Sequence, residues 1–446
     1  MRIQTTTLQT SKPITLTFTD KPITAWGGMS LLAGFAGRIK LPEALARHLS
    51  FDITSHNAIN PVDIILAFVG GSLTGARRFA HIEALRHDEV FRQLMGIKRF
   101  PSDITIARFF KRFGQKAIQD MLEPLRVWQI KQMTPPGFYT LDVDSSVFER
   151  YGKQEGALLG YNPKKHRRPS HHPLLATLAE NNAVIHSWLR SGDTASVTGA
   201  VDFLREALSA MPTGAATKVV RGDSGFDSEK VFVFLESEKL RYAVSARFTR
   251  GVKRQARAIS DWRDIDDDVS VSEIIFQAKS WSRGRRLVVI RQRDRANDFV
   301  RGKYLFDDKA YLYQGIFTDM TEPPEEVWRF YRKRAVLETR IRELKWDYGI
   351  DGFCMKKFYA TEAAFRTVCL AYNLMEQFQK AIGIKTKRTL GVIRTQVLAC
   401  GAELGRDGHK LMLRLSASGR RRALLREYAN RIFNCEKVNC VAVETG

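Results

Sequence analysis

The chain has 446 residues, with 71 Lys and Arg against 48 Asp and Glu, which gives a formal net charge of +23 at pH 7. This charge favours a polyanionic partner such as nucleic acid, and a hydrophobic fraction of 44% excludes a disordered chain. No charge-free apolar stretch is long enough to span a membrane, and the five cysteines form no CxxC pair that would indicate a zinc site. We therefore expect a folded protein of a reducing cytoplasm, with two or three domains and no membrane partner.

The first 135 residues are predicted to be mainly helical. Apolar side chains recur there at helical spacing, after a short extended start, in the segments 29–39, 42–49 and 61–69. Ser102 or Asp103 is placed to cap a further helix, over about residues 104–113, with one apolar and one basic face. Two interpretations of that helix remain open: it reads DNA, or it is a surface helix whose cations are solvated.

The pattern changes after residue 135. Segments rich in β-branched and aromatic residues then alternate with helices, which predicts a mixed α/β sheet. An antiparallel β insertion is predicted at about 248–321. Prolines and acids at 321–326 begin a helix that is predicted to run through Lys345, and residues 351–446 are predicted to be helical.

Three acidic residues stand where these elements would form a catalytic site. Asp144 lies on the first strand of the sheet, Asp223 follows a later strand in a Gly-Asp-Ser-Gly turn, and Glu338 lies on the predicted helix. Carboxylates from separate elements suit divalent metals that catalyse phosphodiester cleavage. Alternatives remain open: an Asx turn for Asp223, and ion pairs with neighbouring arginines for Glu338.

Two other acids compete for these roles. Asp142 lies two residues before Asp144 and points to the same face of the strand. Asp144 is favoured because two serines follow it at the end of the strand, where a site would open. Glu343 lies about 140° around the helix from Glu338, so the two carboxylates face different directions.

One helical stripe combines an acid with cations and a phenol. If residues 331–345 are helical, Tyr331, Arg334, Glu338 and Lys345 share one face, because offsets of three, four and seven residues return to it. This grouping suits a carboxylate that holds a metal while its neighbours hold phosphates.

The order of the three acids and the Tyr-x2-Arg-x3-Glu-x6-Lys spacing resemble the signature of DDE transposases of the IS4-like superfamily. The segments at 141–147, 151–156 and 160–165 most resemble the IS1380 family of insertion-sequence transposases. The resemblance is strongest from about 138 to 375. Ser145-Ser146 departs from the Gly or Ser followed by Thr of many relatives, but it keeps a hydroxyl.

The resemblance implies an α/β fold: an RNase H-like catalytic core over 136–350, with the β-rich insertion inside it. A helical region that binds DNA ends (1–135) and a helical C-terminal region for DNA binding or dimerisation (351–446) would flank it. The implied protein is a bacterial, nucleoid-associated enzyme. It acts as a homodimer on double-stranded DNA, at the terminal inverted repeats of an insertion sequence. It cleaves with two Mg²⁺ or Mn²⁺ ions and joins 3′-hydroxyl ends to target DNA by cut-and-paste, in many relatives through a hairpin.

The resemblance also implies roles for individual residues. Asp144, Asp223 and Glu338 would hold the metals and form the catalytic triad. Backbone phosphates at the cleaved end would be contacted by Tyr331, Arg334 and Lys345, and Arg334 suits two-pronged phosphate binding.

Further residues follow the first strand. A basic run is expected to contact DNA phosphates, with a solvated loop as the alternative; it comprises Lys164, Lys165, Arg167 and Arg168. His171 and His172 have no carboxylate at ligand spacing and are interpreted as surface residues. A tryptophan that stacks a flipped base cannot be selected among Trp262, Trp281 and Trp328.

Two other functions compete with an active transposase. One is an inactive DNA-binding protein derived from a transposase, which the complete set of acids and cations disfavours. The other is an RNase H-like nuclease that does not rejoin ends. The long N-terminal helical region and the basic C-terminal helices favour end binding and assembly over that nuclease.

Overall fold

The computed structural model describes residues 3–4, 15–52, 55–133, 137, 139–162, 165–211, 218–293 and 311–433. The strands, in chain order, are β1 (Ile3–Gln4), β2 (Thr15–Leu16), β3 (Ile23–Thr24), β4 (Tyr139–Ser145), β5 (Phe148–Glu149), β6 (Ser170–His171), β7 (Leu174–Leu178), β8 (Val184–Trp188), β9 (Lys218–Gly222), β10 (Arg241–Ser245), β11 (Arg263–Asp264), β12 (Val269–Phe276), β13 (Arg285–Arg293), β14 (Tyr311–Thr318), β15 (Ala402–Asp407) and β16 (Lys410–Leu415).

The helices are α1 (Met29–Arg38), α2 (Leu41–His48), α3 (Pro61–Thr74), α4 (Phe79–Ile82), α5 (Glu89–Leu94), α6 (Asp103–Phe110), α7 (Gln115–Ala117), α8 (Glu123–Lys131), α9 (Ala200–Ser209), α10 (Glu229–Ser237), α11 (Arg250–Arg257), α12 (Pro324–Arg332), α13 (Ala335–Trp346), α14 (Phe358–Ala381), α15 (Leu390–Ile393) and α16 (Gly419–Phe433). Tighter or wider helical turns cover Glu83–Leu85, Ile118–Leu122, Ser224–Phe226 and Arg394–Leu398.

A nine-stranded mixed sheet organises the molecule, in the order β11-β12-β13-β14-β10-β9-β4-β7-β8. Within it, β4, β9 and β10 run parallel, while β7 is antiparallel to β4 and β8 is antiparallel to β7. Helices α9 and α10 connect β8 to β9 and β9 to β10. The unit β8-β7-β4-β9-β10 has the arrangement of an RNase H-like core, and the predicted mixed α/β fold is confirmed.

The predicted β insertion is present as β11 to β14. It extends the same sheet rather than forming a separate one, because β14 pairs antiparallel with β10, with Ala243 opposite Thr318. β12, β13 and β14 then form an antiparallel meander. The insertion also begins with a helix, α11, where the sequence predicted only strands.

Two large hydrophobic clusters contribute to the core. One contains residues of α9, α10 and the strands of the sheet. The other gathers residues of the N-terminal helices, α13, α16 and above all α14. α14 is buried along most of its length, because apolar residues occupy nearly all of its sides. It thereby joins the N-terminal and C-terminal helical regions in one core.

The predicted N-terminal helices are confirmed as α1, α2 and α3. Ser102 caps α6, since its side chain accepts a hydrogen bond from the backbone N–H of Thr105. The following Arg112 packs at 4.3 Å from the ring of Phe51 and donates to the backbone oxygen of Asp52, so this cation supports packing.

The helix predicted to run from 321 to 345 is interrupted. α12 ends at Arg332 and α13 begins at Ala335. Across the junction, the backbone N–H of Arg334 donates to the oxygen of Tyr331, and that of Leu337 to the oxygen of Arg334. Both hydrogen bonds join residues that are three apart rather than four, which tightens the helical turn. The residues of α13 therefore do not continue the helical face of α12.

The C-terminal region is not helical throughout, and the prediction was wrong there. β15 and β16 form a hairpin, and β15 also pairs with β3 near the N-terminus. Gly408 makes the turn with a φ of 56°, a conformation that glycine adopts without steric cost. No helix in the described ranges is both long and apolar enough to cross a membrane.

Candidate active site

The carboxyl ends of three parallel strands meet at one edge of the sheet. Val143 on β4 lies opposite Gly222 on β9, so the next residues along these strands, Asp144 and Asp223, are neighbours. β10 ends beside them, on the other side of β9. The edge where loops follow parallel strands is where α/β sheets place their sites.

Asp144 is 8% exposed, and two groups contact its carboxylate. Arg334 Nη2 lies 3.1 Å from Asp144 Oδ1, and the backbone N–H of Ser145 donates to the same oxygen at 2.8 Å. Burial raises the pKa of Asp144 to about 7, against the effect of Arg334, and the carboxylates of Asp223 and Glu338 add to the rise. Asp223 and Glu338 therefore both lie within electrostatic range of Asp144.

The turn after β9 holds Asp223, which is half-buried. Its Oδ1 accepts a hydrogen bond from the backbone N–H of Gly225 at 2.9 Å, which is the Asx-turn role considered from the sequence. A Cβ added to Gly225 would lie 2.6 Å from Ser196 Cβ, so only glycine fits here. Ser196 in turn hydrogen bonds to the hydroxyl of Ser145, which ties together the loops around the two aspartates.

Glu338 is exposed on α13, and Arg334 at the start of that helix contacts Asp144. Within the part of the chain that the structure describes, no three Asp, Glu, His or Cys side chains are grouped closely enough to hold a metal ion. The three carboxylates thus occupy one region without converging. Their chemistry fits Mg²⁺ or Mn²⁺, which prefer carboxylate oxygens, and Arg334 now neutralises the charge of Asp144.

Both rival acids are buried in ion pairs. Asp142 is bound through both carboxylate oxygens by Arg221, at 2.7 and 2.9 Å. Glu343 is 5% exposed, lies 2.9 Å from Lys387 Nζ and accepts a hydrogen bond from the backbone of Leu390. Such paired, inaccessible carboxylates are suited to holding the fold together rather than to binding a substrate or a metal.

The three residues predicted to contact phosphates donate to backbone oxygens in this structure. Tyr331 Oη donates to Gly222 at 3.2 Å, Arg334 Nη2 to Val143 at 3.2 Å, and Lys345 Nζ to Val147 at 2.9 Å. Tyr331 and Arg334 are buried and Lys345 is half-buried. Because of the junction between α12 and α13, these residues join the helices to β4 and β9 rather than forming one exposed stripe with Glu338.

Of the basic run after β4, Lys164 lies outside the described residues. Lys165 forms an ion pair with Glu149 at 2.9 Å and donates to Tyr151 Oη at 2.7 Å. Arg168 lies over the ring of Tyr151 at 4.6 Å, while Arg167 is exposed. The loop thus presents a basic surface near the carboxyl edge of the sheet.

The interpretation of His171 and His172 as surface residues was wrong, since both are buried. His171 Nδ1 accepts a hydrogen bond from Arg150 Nε at 2.9 Å, and its Nε2 lies 2.9 Å from the backbone oxygen of Glu155. Burial, and then the charge of Arg150, lower the pKa of His171 to about 4. This neutral imidazole anchors the basic loop from within.

Arg247, which follows β10, was not predicted as a site residue from the sequence. Its Nε donates to the backbone oxygen of Ser224 at 2.6 Å and its Nη2 to that of Gly225 at 3.1 Å. The backbone N–H of Arg247 donates to Asp227, whose pKa burial raises to about 6. The sequence does indicate a basic segment here, because cations recur from 247 to 257 directly after a predicted strand.

None of the three tryptophans considered from the sequence is fully exposed. Trp328 is buried, and Trp262 and Trp281 are half-buried. Trp346, which the sequence analysis did not consider, is 71% exposed at the end of α13, next to Lys345.

Residues 6–437 match the family model described as Transposase DDE domain group 1. No curated protein matches the chain. Among solved structures, the chain is similar to a cryo-EM structure of the piggyBac transposase synaptic complex with hairpin DNA, with a TM-score of 0.45 and 13% identity. That similarity covers 84% of this chain and 81% of the other. Because the family model spans nearly the whole sequence, the chain belongs to the DDE transposases, enzymes that cleave and transfer DNA strands and generally use divalent metal ions.

Proposed function

We propose that this enzyme is the transposase of an IS1380-like insertion sequence and acts on the terminal inverted repeats of its own element. It hydrolyses a phosphodiester bond at each end and joins the freed 3′-hydroxyl to target DNA. The observation that carries the proposal is that Asp144 and Asp223 directly follow the paired residues Val143 and Gly222 at the carboxyl edge of the sheet, with Glu338 in electrostatic range of Asp144.

The metal-holding residues in this proposal are Asp144, Asp223 and Glu338. Two Mg²⁺ or Mn²⁺ ions bound there would stabilise the charge on the reacting phosphate and activate the attacking oxygen. The burial that raises the pKa of Asp144 also means that its ionised form needs a nearby cation. Arg334 supplies one positive charge beside this carboxylate.

The remaining predicted residues would position DNA. Arg334, which contacts Asp144, and Lys345, which contacts Val147 three residues further on, are proposed to hold phosphates of the cleaved end, together with the hydroxyl of Tyr331. The loop that carries Lys164, Lys165, Arg167 and Arg168 is proposed to follow the DNA backbone away from the site. A homodimer would bring two ends together, and a hairpin at each end is part of the proposed cut-and-paste route.

An excision assay tests the proposal, with a marker placed between the two ends of the element. Wild type is compared with Asp144→Ala, Asp223→Ala and Glu338→Ala, and end binding is measured in parallel by gel shift. Glu326→Gln is the matched control, since Glu326 is an exposed acid on the neighbouring helix α12. We expect excision by wild type and the control, and none by the three variants, with binding retained.

The same assay separates the alternatives. Binding without excision by wild type would support an inactive DNA-binding protein. Cleavage of the ends without joining to target DNA would support an RNase H-like nuclease. Loss of excision in Asp142→Ala, with its fold intact, and normal excision in Asp144→Ala would move the first metal ligand by two residues.

A further inference from the structure

A short basic helix, α11, is fixed directly beside the Asp223 turn. Arg247, three residues before the helix begins, binds the backbone oxygens of Ser224 and Gly225 through its guanidinium group. Its own backbone N–H is held by Asp227. Three hydrogen bonds therefore attach the start of α11 to the turn that carries a candidate catalytic acid.

The helix has one apolar and one basic face. Val252 and Ala256 are buried against the core at 2% and 1% exposure. Arg250, Arg254 and Arg257 are exposed, and their spacing of four and three residues places them on one stripe. At 1.5 Å of rise per residue this stripe is about 10 Å long.

Arg250 at the start of α11 opposes helix formation, whereas Arg254 and Arg257 in its last turn favour it. Like charges one turn apart destabilise a helix, and cations in its first turn meet the positive end of the helix dipole. Arg250 occupies that first turn, and the helix sequence RGVKRQAR contains no acidic residue that would offset the repulsion. A face with exposed Arg250 and Arg254 suits a polyanion, whose negative charge relieves the repulsion between these two cations.

We propose that the arginine face of α11 binds backbone phosphates of DNA and forms one side of the DNA path across the active site. In the sheet, β9 lies between β4 and β10. β4 leads towards the basic loop and β10 leads to α11, so the two segments leave the sheet on either side of β9 and its Asp223 turn. A duplex that contacts both passes over the candidate acids, and guanidinium groups suit its phosphates. This inference rests on the proposed function.

The test compares two pairs of charge-removing substitutions. The first is Arg250→Gln with Arg254→Gln. The control is Lys218→Gln with Lys239→Gln, which removes two charges at the opposite ends of β9 and β10. Affinity for a duplex with the terminal inverted repeat, and for a random duplex of equal length, is measured by fluorescence anisotropy across salt concentrations.

We expect the α11 pair to lose roughly tenfold affinity for both duplexes, and the slope of log affinity against log salt to fall by about 1.8. The control should change affinity less than twofold. Arg250→Lys with Arg254→Lys should restore the slope, which excludes a folding defect as the cause.

The outcomes separate the inference from the proposed function. If wild type binds and excises but the α11 pair behaves like the control, the inference is overturned and the transposase function stands. If wild type binds neither duplex, both fail. A loss confined to the inverted-repeat duplex would indicate base recognition and would overturn the assignment to phosphates.

Discussion

Arg221 binds Asp142 through two parallel hydrogen bonds, Nε to Oδ1 at 2.7 Å and Nη2 to Oδ2 at 2.9 Å, and neither side chain is more than 2% exposed. The third guanidinium nitrogen donates to the backbone oxygen of Phe330 on α12. This pair fastens β4 to β9 and both to α12. Asp142 is therefore the structural aspartate of β4. Asp144, two residues further on, is contacted by Arg334 through one carboxylate oxygen.

The first prediction concerns that ion pair. Asp142→Asn should lower the free energy of unfolding by about 3–5 kcal/mol, because it leaves the buried Arg221 without its counter-charge. Asp144→Asn replaces a carboxylate whose ionised form is disfavoured by burial, which raises its pKa to about 7, and should stay within about 1 kcal/mol of wild type. Urea denaturation measures both. Combining Asp142→Asn with Arg221→Met should recover most of the loss, and equal stability of the two single variants would contradict this division of roles.

The second prediction is a metal-dependent gain in stability. Mg²⁺ or Mn²⁺ should raise the thermal midpoint of wild type, because a ligand that binds only the folded state stabilises it. The effect should disappear in Asp144→Asn and Asp223→Asn, which lose charged ligands. Differential scanning fluorimetry with and without the metal measures it. An undiminished shift in both variants would place the metal elsewhere.

The third prediction separates the two glutamates of α13. Glu338→Gln should reduce excision by at least about 100-fold while stability changes by no more than about 0.5 kcal/mol, because its side chain is exposed. Glu343→Gln should instead destabilise the fold by about 1–3 kcal/mol, since it weakens the buried contact with Lys387. Excision and chemical denaturation are measured on both variants, and the reverse assignment would show that Glu343 is the reactive acid.

The fourth prediction is that the free energy of unfolding falls at acid pH because of His171, which anchors the basic loop. The pKa of His171 is about 4 in the folded protein, below its ordinary value of 6.5, so the unfolded chain takes up the proton first. The stability that neutral His171 contributes is fully present above about pH 6.5. It is lost as the pH falls towards 4, and the loss is roughly 3 kcal/mol. The His171→Gln variant should not show this pH-dependent loss of stability. Denaturation curves from pH 7 to pH 4 provide the comparison, and identical pH profiles would contradict the prediction.

Local sequence patterns predicted most of the strands and helices that carry the candidate site residues. Alternation and β-branched residues indicated β4 and β9, and the residues at their ends, Asp144 and Asp223, are neighbours in the structure. Glu338 was predicted from its spacing to Arg334, and that arginine does contact Asp144. Individual strands and helices depend on residues that are close together in the sequence, so local periodicity is sufficient to predict them.

The remaining features of the fold and the candidate site depend on contacts between residues that are far apart in the sequence. Asp142 differs from Asp144 because Arg221, distant in the chain, reaches only one of them. The burial of His171 and the pairing of β15 with β3 likewise arise from packing between segments far apart in sequence. The amino-acid sequence by itself therefore determined which residue types and elements this protein has. Only the tertiary structure decided which charges are paired and buried, because those energies depend on neighbours that no local pattern specifies.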